Sequence, residues 1–354
     1  MELSYFTDSL LKWYSTNQRV LPWRQTKDPY KIWLSEIILQ QTRVMQGIPY
    51  YEKFVERFPK IFDLAIADEQ EILWLWQGLG YYSRARNLHK CARLIVSEYN
   101  GTFPESYKTL IKLPGIGPYT AAAIASISFN EKTPVLDGNV FRVLSRLFDI
   151  NKDIGSSEGR KYFRKMAASL IQDQDPGEFN QAIMEFGALQ CLPKNPDCKS
   201  CILNTNCLSY FKNNQHKRPI KQKKLIKKIR YFNYLVIDQD NCFYFKKRNS
   251  DDIWKGLFDF YLFESDDKYT DPKQISNHIA LFNHEDCYIH SIREYKHTLT
   301  HQVIKACFYH ITLKNSNLKI HKQFLNDGKF YCKEDILKLP KPVLIDKYLK
   351  EEIF

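Results

Sequence analysis

Four cysteines, Cys191, Cys198, Cys201 and Cys207, stand in the spacing C-x6-C-x2-C-x5-C and restrict this chain more than any other feature. Four thiolates within 17 residues can close around one metal centre with only short loops between them. The chain holds nine cysteines, an odd number, and a reducing compartment disfavours a disulfide framework, so a metal site is the first expectation. Structural zinc usually pairs two C-x2-C knuckles across a longer gap. This run has one such pair between two unequal outer arms. The intervening Pro193, Lys194 and Lys199 carry no redox-tuning signature, so the centre is expected to staple a basic loop into shape. Cys91, Cys242, Cys287, Cys307 and Cys332 read as scattered core or surface thiols with no assigned role.

The 354 residues suit about two domains. Residues 1 to 212 read as a helical domain. Leu34, Ile37, Ile38 and Gln41 follow helical spacing, as do Val140, Val143, Leu144 and Leu147, and turn signals such as Asn100-Gly101 and Asp175-Pro176-Gly177 separate the runs. Residues 213 to 230 read as a basic linker, since the stretch from 217 onward holds basic residues and no acidic one. From 231 to 354 the segments YFNYLVI, CFYFKKR, FDFYLF and VIKACFYHITL read as strands, with helices near Asp335 and at the end, which makes an α+β domain. No stretch approaches the roughly 18 apolar residues of a membrane span. The first 19 residues lack the apolar core of a signal peptide, so an intracellular protein is expected. The net charge of +12 attracts polyanions, nucleic acid above all.

Three segments carry chemistry. Leu113-Pro114-Gly115-Ile116-Gly117-Pro118-Tyr119-Thr120 precedes an apolar helix. Its glycines allow a tight turn, and the free N–H groups at the helix start suit a phosphate oxygen. Alone, such a segment reads first as an ordinary inter-helix turn. Asp137 in LDGNV precedes another helix, where it serves as an N-cap or as a site carboxylate, and the helix N-terminus favours its ionised form. Asn139 supplies a neighbouring amide. Glu36 reads as early on a mainly apolar helix: either a first-turn dipole partner, or a carboxyl whose apolar neighbours Trp33, Leu34, Ile37 and Ile38 raise its pKa toward neutrality.

Taken together with Leu21-Pro22-Trp23-Arg24, SEIILQQT and GLGYYSRARNL, these motifs occur in the order of the MutY-type adenine DNA glycosylases, and nearly the whole chain resembles that group of the endonuclease III, helix–hairpin–helix superfamily. The resemblance implies a helical glycosylase domain with a [4Fe–4S] loop at 191–207 and a Nudix-like α+β tail that inspects the lesion. It implies removal of adenine opposite 8-oxoguanine or guanine in double-stranded DNA by a monomeric, cytoplasmic, nucleoid-associated enzyme of base excision repair. Glu36 would act as acid and later base and Asp137 as stabiliser or nucleophile, with Tyr119 and Asn139 in support. Trp23, Arg24, Leu39 and Gln181 would surround the flipped adenine, while Gln41 and Tyr81 wedge into the duplex. Gly115, Gly117 and Tyr119 would hold DNA phosphate.

Three departures from relatives carry consequences. Bifunctional lyases of the superfamily place a Schiff-base lysine on the hairpin helix, and Tyr119 occupies that position here, so little or no strand cleavage is expected. The tail lacks the Nudix hydrolase motif, so no nucleotide pyrophosphatase activity is expected. Its lesion-reading triplet, usually Phe-Ser-His, reads Leu299-Thr300-His301, which keeps the hydroxyl and loses the aromatic face.

Overall fold

A computed structural model of the chain describes residues 3–221, 227–267, 287–313 and 328–354. Its internal contacts divide it into two compact units, Met1–Ile66 with Asn87–Lys223, and Ala67–Arg86 with Lys224–Phe354.

The first unit is helical. Its elements are α1 (Leu3–Asn17), α2 (Pro29–Leu39), α3 (Val44–Arg57) and α4 (Ile61–Ile66). After α5 (Glu69–Leu75), which clusters with the second unit, follow α6 (Ser83–Tyr99), α7 (Tyr107–Leu110), α8 (Pro118–Phe129), α9 (Gly138–Leu147), α10 (Ser157–Leu170), α11 (Pro176–Leu189) and α12 (Leu208–Phe211). Side chains at the starts explain the boundaries. Asp28, Ser106, Asp137, Ser156 and Asp175 each accept a backbone N–H of the following turn, and Pro29, Pro118 and Pro176 occupy first helical positions. Helix α8 is buried all round, because Ala121, Ala122, Ala123 and Ala125 present little bulk and let α2 and α11 pack closely against it. It is the axis on which the site is assembled.

The second unit is built on one sheet: β1 (Lys228–Gln239), β2 (Cys242–Lys247), β3 (Phe258–Asp259), β4 (Tyr261–Ser265), β5 (Cys287–Thr298), β6 (Gln302–Leu313) and β7 (Gly328–Cys332). The order is β3-β2-β1-β6-β5, with β4 added on β1 and β7 on β2; β1 and β6 are parallel and the other pairs antiparallel. Strand β1 is buried continuously over Phe232–Ile237, so both its faces are covered. Two helices, α13 (Lys333–Lys338) and α14 (Val343–Glu352), close the chain, and Tyr348 of α14 stacks on Phe308 of β6 at 4.3 Å.

Two expectations need correction, and one strand adds to those expected. Strand β5 was not legible, because Arg293, Glu294 and Lys296 sit on a strand that, among the described residues, pairs with β6 alone, where edge exposure tolerates charge. Cys242 and Cys332 are not isolated thiols; they face each other across β2 and β7 and are joined by a disulfide. The start of the basic run is not a free tether. Arg218 pairs with Asp149 at 2.7 Å, the Ile220 carbonyl accepts the Ile154 N–H at 3.1 Å, and residues from Lys228 onward are already strand. Residues 222–226 of that run lie outside the described residues.

Candidate active site

Glu36 stands in the last turn of α2, not early on it, because Asp28 and Pro29 start that helix well upstream. It therefore faces the carbonyl end of the helix, which disfavours a negative charge. The side chain is buried among the apolar residues of α2. Burial pushes its carboxyl up to about 7 and the nearby Asp137 charge adds to that, while Tyr119 and Arg24 pull the other way. Leu39 ends the helix. Gln41 lies beyond it with φ of 57°, in the left-handed region, so it does not share the helical face expected of it.

The hairpin follows the same logic. Gly115 has φ of 76°, and a Cβ there would fall 2.8 Å from the Cβ of Asn87, so only glycine fits. Gly117 is extended and serves as N-cap of α8, with open space where a side chain would stand. The first-turn N–H groups of Tyr119 and Thr120 have no carbonyl upstream within the helix. The Tyr119 hydroxyl lies 3.3 Å from Met184 Sδ and also within hydrogen-bonding reach of the Glu36 carboxyl, the better acceptor for its single proton. Burial, together with the charges of Glu36 and Asp137, lifts the Tyr119 pKa well above the usual phenol range, so it remains a donor.

Asp137 is both cap and site carboxylate. One oxygen accepts the Val140 N–H at 2.7 Å and the other accepts Asn139 Nδ2 at 2.7 Å. Its pKa is raised by burial, which outweighs the lowering by Val140, Asn139 and Arg142. The helix end does favour the ionised form, as expected, but does not decide the balance. Arg142 donates to Asn139 Oδ1 at 2.8 Å, to the Gly187 carbonyl at 2.6 Å and to the Cys191 carbonyl at 2.7 Å, linking Asn139 to the start of the cysteine loop. A Cβ on Gly187 would lie 2.6 Å from the Cβ of Asn139. Asn180, fully buried on α11, accepts the Val135 N–H at 3.0 Å and donates to the Thr133 carbonyl and the Ser126 hydroxyl, which fixes the segment leading to Asp137.

A second cluster lies beside Glu36. Arg24 donates to both oxygens of Glu185 at 2.9 and 2.8 Å, and Arg19 also reaches both, by Nε at 2.8 Å and Nη2 at 2.5 Å. Burial would raise the Glu185 carboxyl, yet the two guanidinium groups hold it at about 2. Arg24 lies over the Tyr14 ring, and the Tyr14 hydroxyl donates to Gln181 at 3.4 Å. Tyr14, Arg24 and Gln181 line one cavity of about 470 Å³. Trp23 is buried with its ring edge-on to Tyr51. Sequence reasoning missed Arg19, Asn180 and Glu185; the signal was available in PGEFNQAIMEFGAL, where polar side chains interrupt an otherwise apolar helix.

The four cysteines line one apolar pocket with Val143, Leu147, Phe186 and Leu203. Arg146 donates to Cys191 Sγ at 3.4 Å, and backbone N–H groups of Leu203, Ser209 and Tyr210 point at Cys201 and Cys207. Among the described residues no group of three His, Cys, Asp or Glu side chains is arranged around a single ion. A set of four sulfurs with N–H donors inside an apolar wall has the chemistry an iron–sulfur cluster requires.

In the second unit, the Tyr81 hydroxyl is hydrogen-bonded to the Thr300 hydroxyl. Tyr81, Leu299, Thr300 and His301 line a cavity of about 520 Å³ together with Trp254 and Arg86. The Leu299 N–H donates to the Gln302 carbonyl at 2.8 Å and so shapes the tight turn between β5 and β6. His297 packs on Trp254 and is a strand residue, its pKa lowered by burial.

Residues 34–169 match the HhH-GPD superfamily of base excision DNA repair proteins, and residues 233–351 match the NUDIX domain family. An adenine DNA glycosylase of Buchnera aphidicola subsp. Schizaphis graminum (strain Sg) is 39% identical over 352 residues, covering 97% of this chain and 98% of its own. A solved thermostable thymine-DNA glycosylase superposes with a TM-score of 0.56 at 30% identity, over 59% of this chain and 97% of its own. An endonuclease III in non-covalent complex with DNA superposes with a TM-score of 0.52 at 22% identity, over 60% of this chain and 96% of its own, a likeness of fold.

Proposed function

The chain belongs to the adenine DNA glycosylase family, an HhH-GPD base excision repair domain followed by a NUDIX domain, and from that premise we propose that it excises adenine mispaired with 8-oxoguanine (or guanine) by acid-assisted hydrolysis. The observation that supports this reading is the buried Glu36 carboxyl, raised to about 7, within hydrogen-bonding reach of the Tyr119 hydroxyl and within electrostatic range of Asp137. Adenine leaves poorly as an anion. Glu36 delivers its proton to N7 of the extruded base, the C1′–N9 bond breaks, and adenine departs neutral. The Asp137 carboxylate stabilises the oxocarbenium-like sugar. Asn139, held by Asp137 and Arg142, orients the incoming water, and the Glu36 carboxylate takes the proton the water releases. No lysine stands at the Tyr119 position to form a Schiff base, so base release proceeds without strand cleavage.

Around this centre, Trp23, Arg24, Leu39 and Gln181 enclose the flipped adenine, and Gly115, Gly117 and Tyr119 hold the DNA backbone. Gln41 and Tyr81 enter the duplex, and Leu299-Thr300-His301 reads 8-oxoguanine. Cys191, Cys198, Cys201 and Cys207 would hold a [4Fe–4S] cluster that shapes the 191–207 loop. The protein works as a nucleoid-associated monomer in the cytoplasm, its helical domain ending near 212 and its lesion-reading domain beginning near 231.

Base release from duplexes carrying A:8-oxoguanine, A:G, C:8-oxoguanine and T:G tests the proposal. Adenine release from the first two, and fastest from the first, is expected. Thymine release from T:G with no adenine release from A:8-oxoguanine overturns it.

A further inference from the structure

One charged surface of the first unit carries four cations that the site described above does not use. Lys132, Arg160, Arg164 and Lys221 line a single open cavity of about 670 Å³ whose wall also includes Tyr119 and Gly138. Among the described residues no acidic side chain lines it. Three carboxylates near these residues in sequence have other partners: Glu131 accepts the Tyr107 N–H at 2.6 Å, Asp153 accepts the Gly155 N–H at 2.8 Å, and Glu158 pairs with Lys152 at 2.6 Å.

The four cations come from three separate segments, so their convergence is a product of the fold. Lys132 follows α8 and donates to the Gln172 carbonyl. Arg160 and Arg164 lie one turn apart on α10, where like charges repel, and Arg164 is steadied by the Tyr107 hydroxyl at 3.2 Å. Lys221 belongs to the basic run, and the bridge between Asp153 and Ile220 holds it here. None of these hydrogen bonds neutralises a charge. Four exposed cations around an open cavity with no acidic side chain among its described lining residues form a site for an extended anion. The wall formed by Tyr119 and Gly138 puts that anion next to the hairpin and to Asp137.

We propose that this cavity seats phosphodiester groups of the DNA strand that carries the extruded nucleotide, as a second backbone clamp beside the hairpin. The inference rests on the reading of the chain as a duplex-binding glycosylase. Exposed cations spread over a cavity of this size match a run of phosphates better than a single small anion. Contacts of this type position the backbone and carry no base information.

The test is binding of the full chain to two duplexes, one undamaged and one carrying a non-hydrolysable 2′-fluoro adenosine opposite 8-oxoguanine, across a series of salt concentrations. Wild type, Lys221→Ala, Arg160→Ala/Arg164→Ala and Arg160→Lys/Arg164→Lys are compared. Each removed cation should lower the slope of log affinity against log salt by about 1 on the lesion duplex, while the lysine pair keeps the wild-type slope. Unchanged slopes in both alanine variants overturn the inference. So does a loss in the lysine pair equal to that in the alanine pair. Should the double alanine variant fail to fold, Lys221→Ala decides. A wild type with no salt-dependent binding to either duplex overturns the glycosylase reading instead.

Discussion

Glu36 lies close enough to Asp137 that the charge of Asp137 raises the Glu36 pKa, and Tyr119 feels the charge of both. Two carboxyl groups brought together in a buried place cannot both ionise freely. In the proposed mechanism the one raised to about 7 serves as the acid, and its partner, whose charge Val140, Asn139 and Arg142 support, serves as the anion.

This arrangement has a pH signature in stability. A carboxyl whose pKa rises on folding favours the fold while protonated, so its contribution is full below about 4.5 and is lost as pH rises through about 7. That interval is worth about 3 kcal/mol at 1.36 kcal/mol per unit. Urea melts of Glu36→Gln should show a variant that lacks this slope and exceeds wild type in stability at pH 8.

Tyr119 acts on the same titration with a predictable sign. Its hydroxyl lowers the Glu36 pKa, so Tyr119→Phe should raise it and move the alkaline limb of the single-turnover rate profile to higher pH. The wild-type protein should give no borohydride-trapped adduct with DNA. An unmoved limb removes the hydroxyl from the account, and a trapped adduct at the rate of adenine release removes the monofunctional assignment.

Asn180 offers a test of how the site is held. Asn180→Leu deprives the Val135 N–H and the Thr133 carbonyl of a buried partner, a cost of about 3 kcal/mol at 1–3 kcal/mol for each unsatisfied group. Chemical denaturation followed by circular dichroism should show that loss. The rate should fall as well, because the segment that presents Asp137 is released.

The cysteine loop should fail locally. Purified wild-type protein is expected to be brown, with iron and sulfide bound. Cys198→Ser should lose the colour and become sensitive to proteolysis within 191–207 while the circular dichroism of the remaining helices persists. A colourless wild type that binds zinc would replace the cluster with a simpler metal site.

Much of this architecture was legible in the chain because its signals are local. Asp137 before a helix, glycines in a hairpin and four cysteines in a short run each act over a few residues. The helical unit and the main strands followed from periodicity. What escaped depends on contacts distant in sequence. Glu185 matters because Arg19 and Arg24 reach it across more than 160 residues, and Asn180 because it meets Thr133 and Val135. The position of Glu36 within α2 was misread because the start of the helix is set by Asp28 and Pro29 rather than by its apolar run. Strand β5 was hidden by the charges that an edge position permits. The disulfide between Cys242 and Cys332 needed the β2–β7 register to be seen.

The most direct measurement is single-turnover release of adenine from an A:8-oxoguanine duplex by wild type, Glu36→Gln and Asp137→Asn at saturating enzyme. Each substitution should slow the chemical step by about 10²-fold or more, the lower range for a positioned acid, with duplex affinity kept within a few-fold. Glu36→Gln releasing adenine at the wild-type rate would contradict the account.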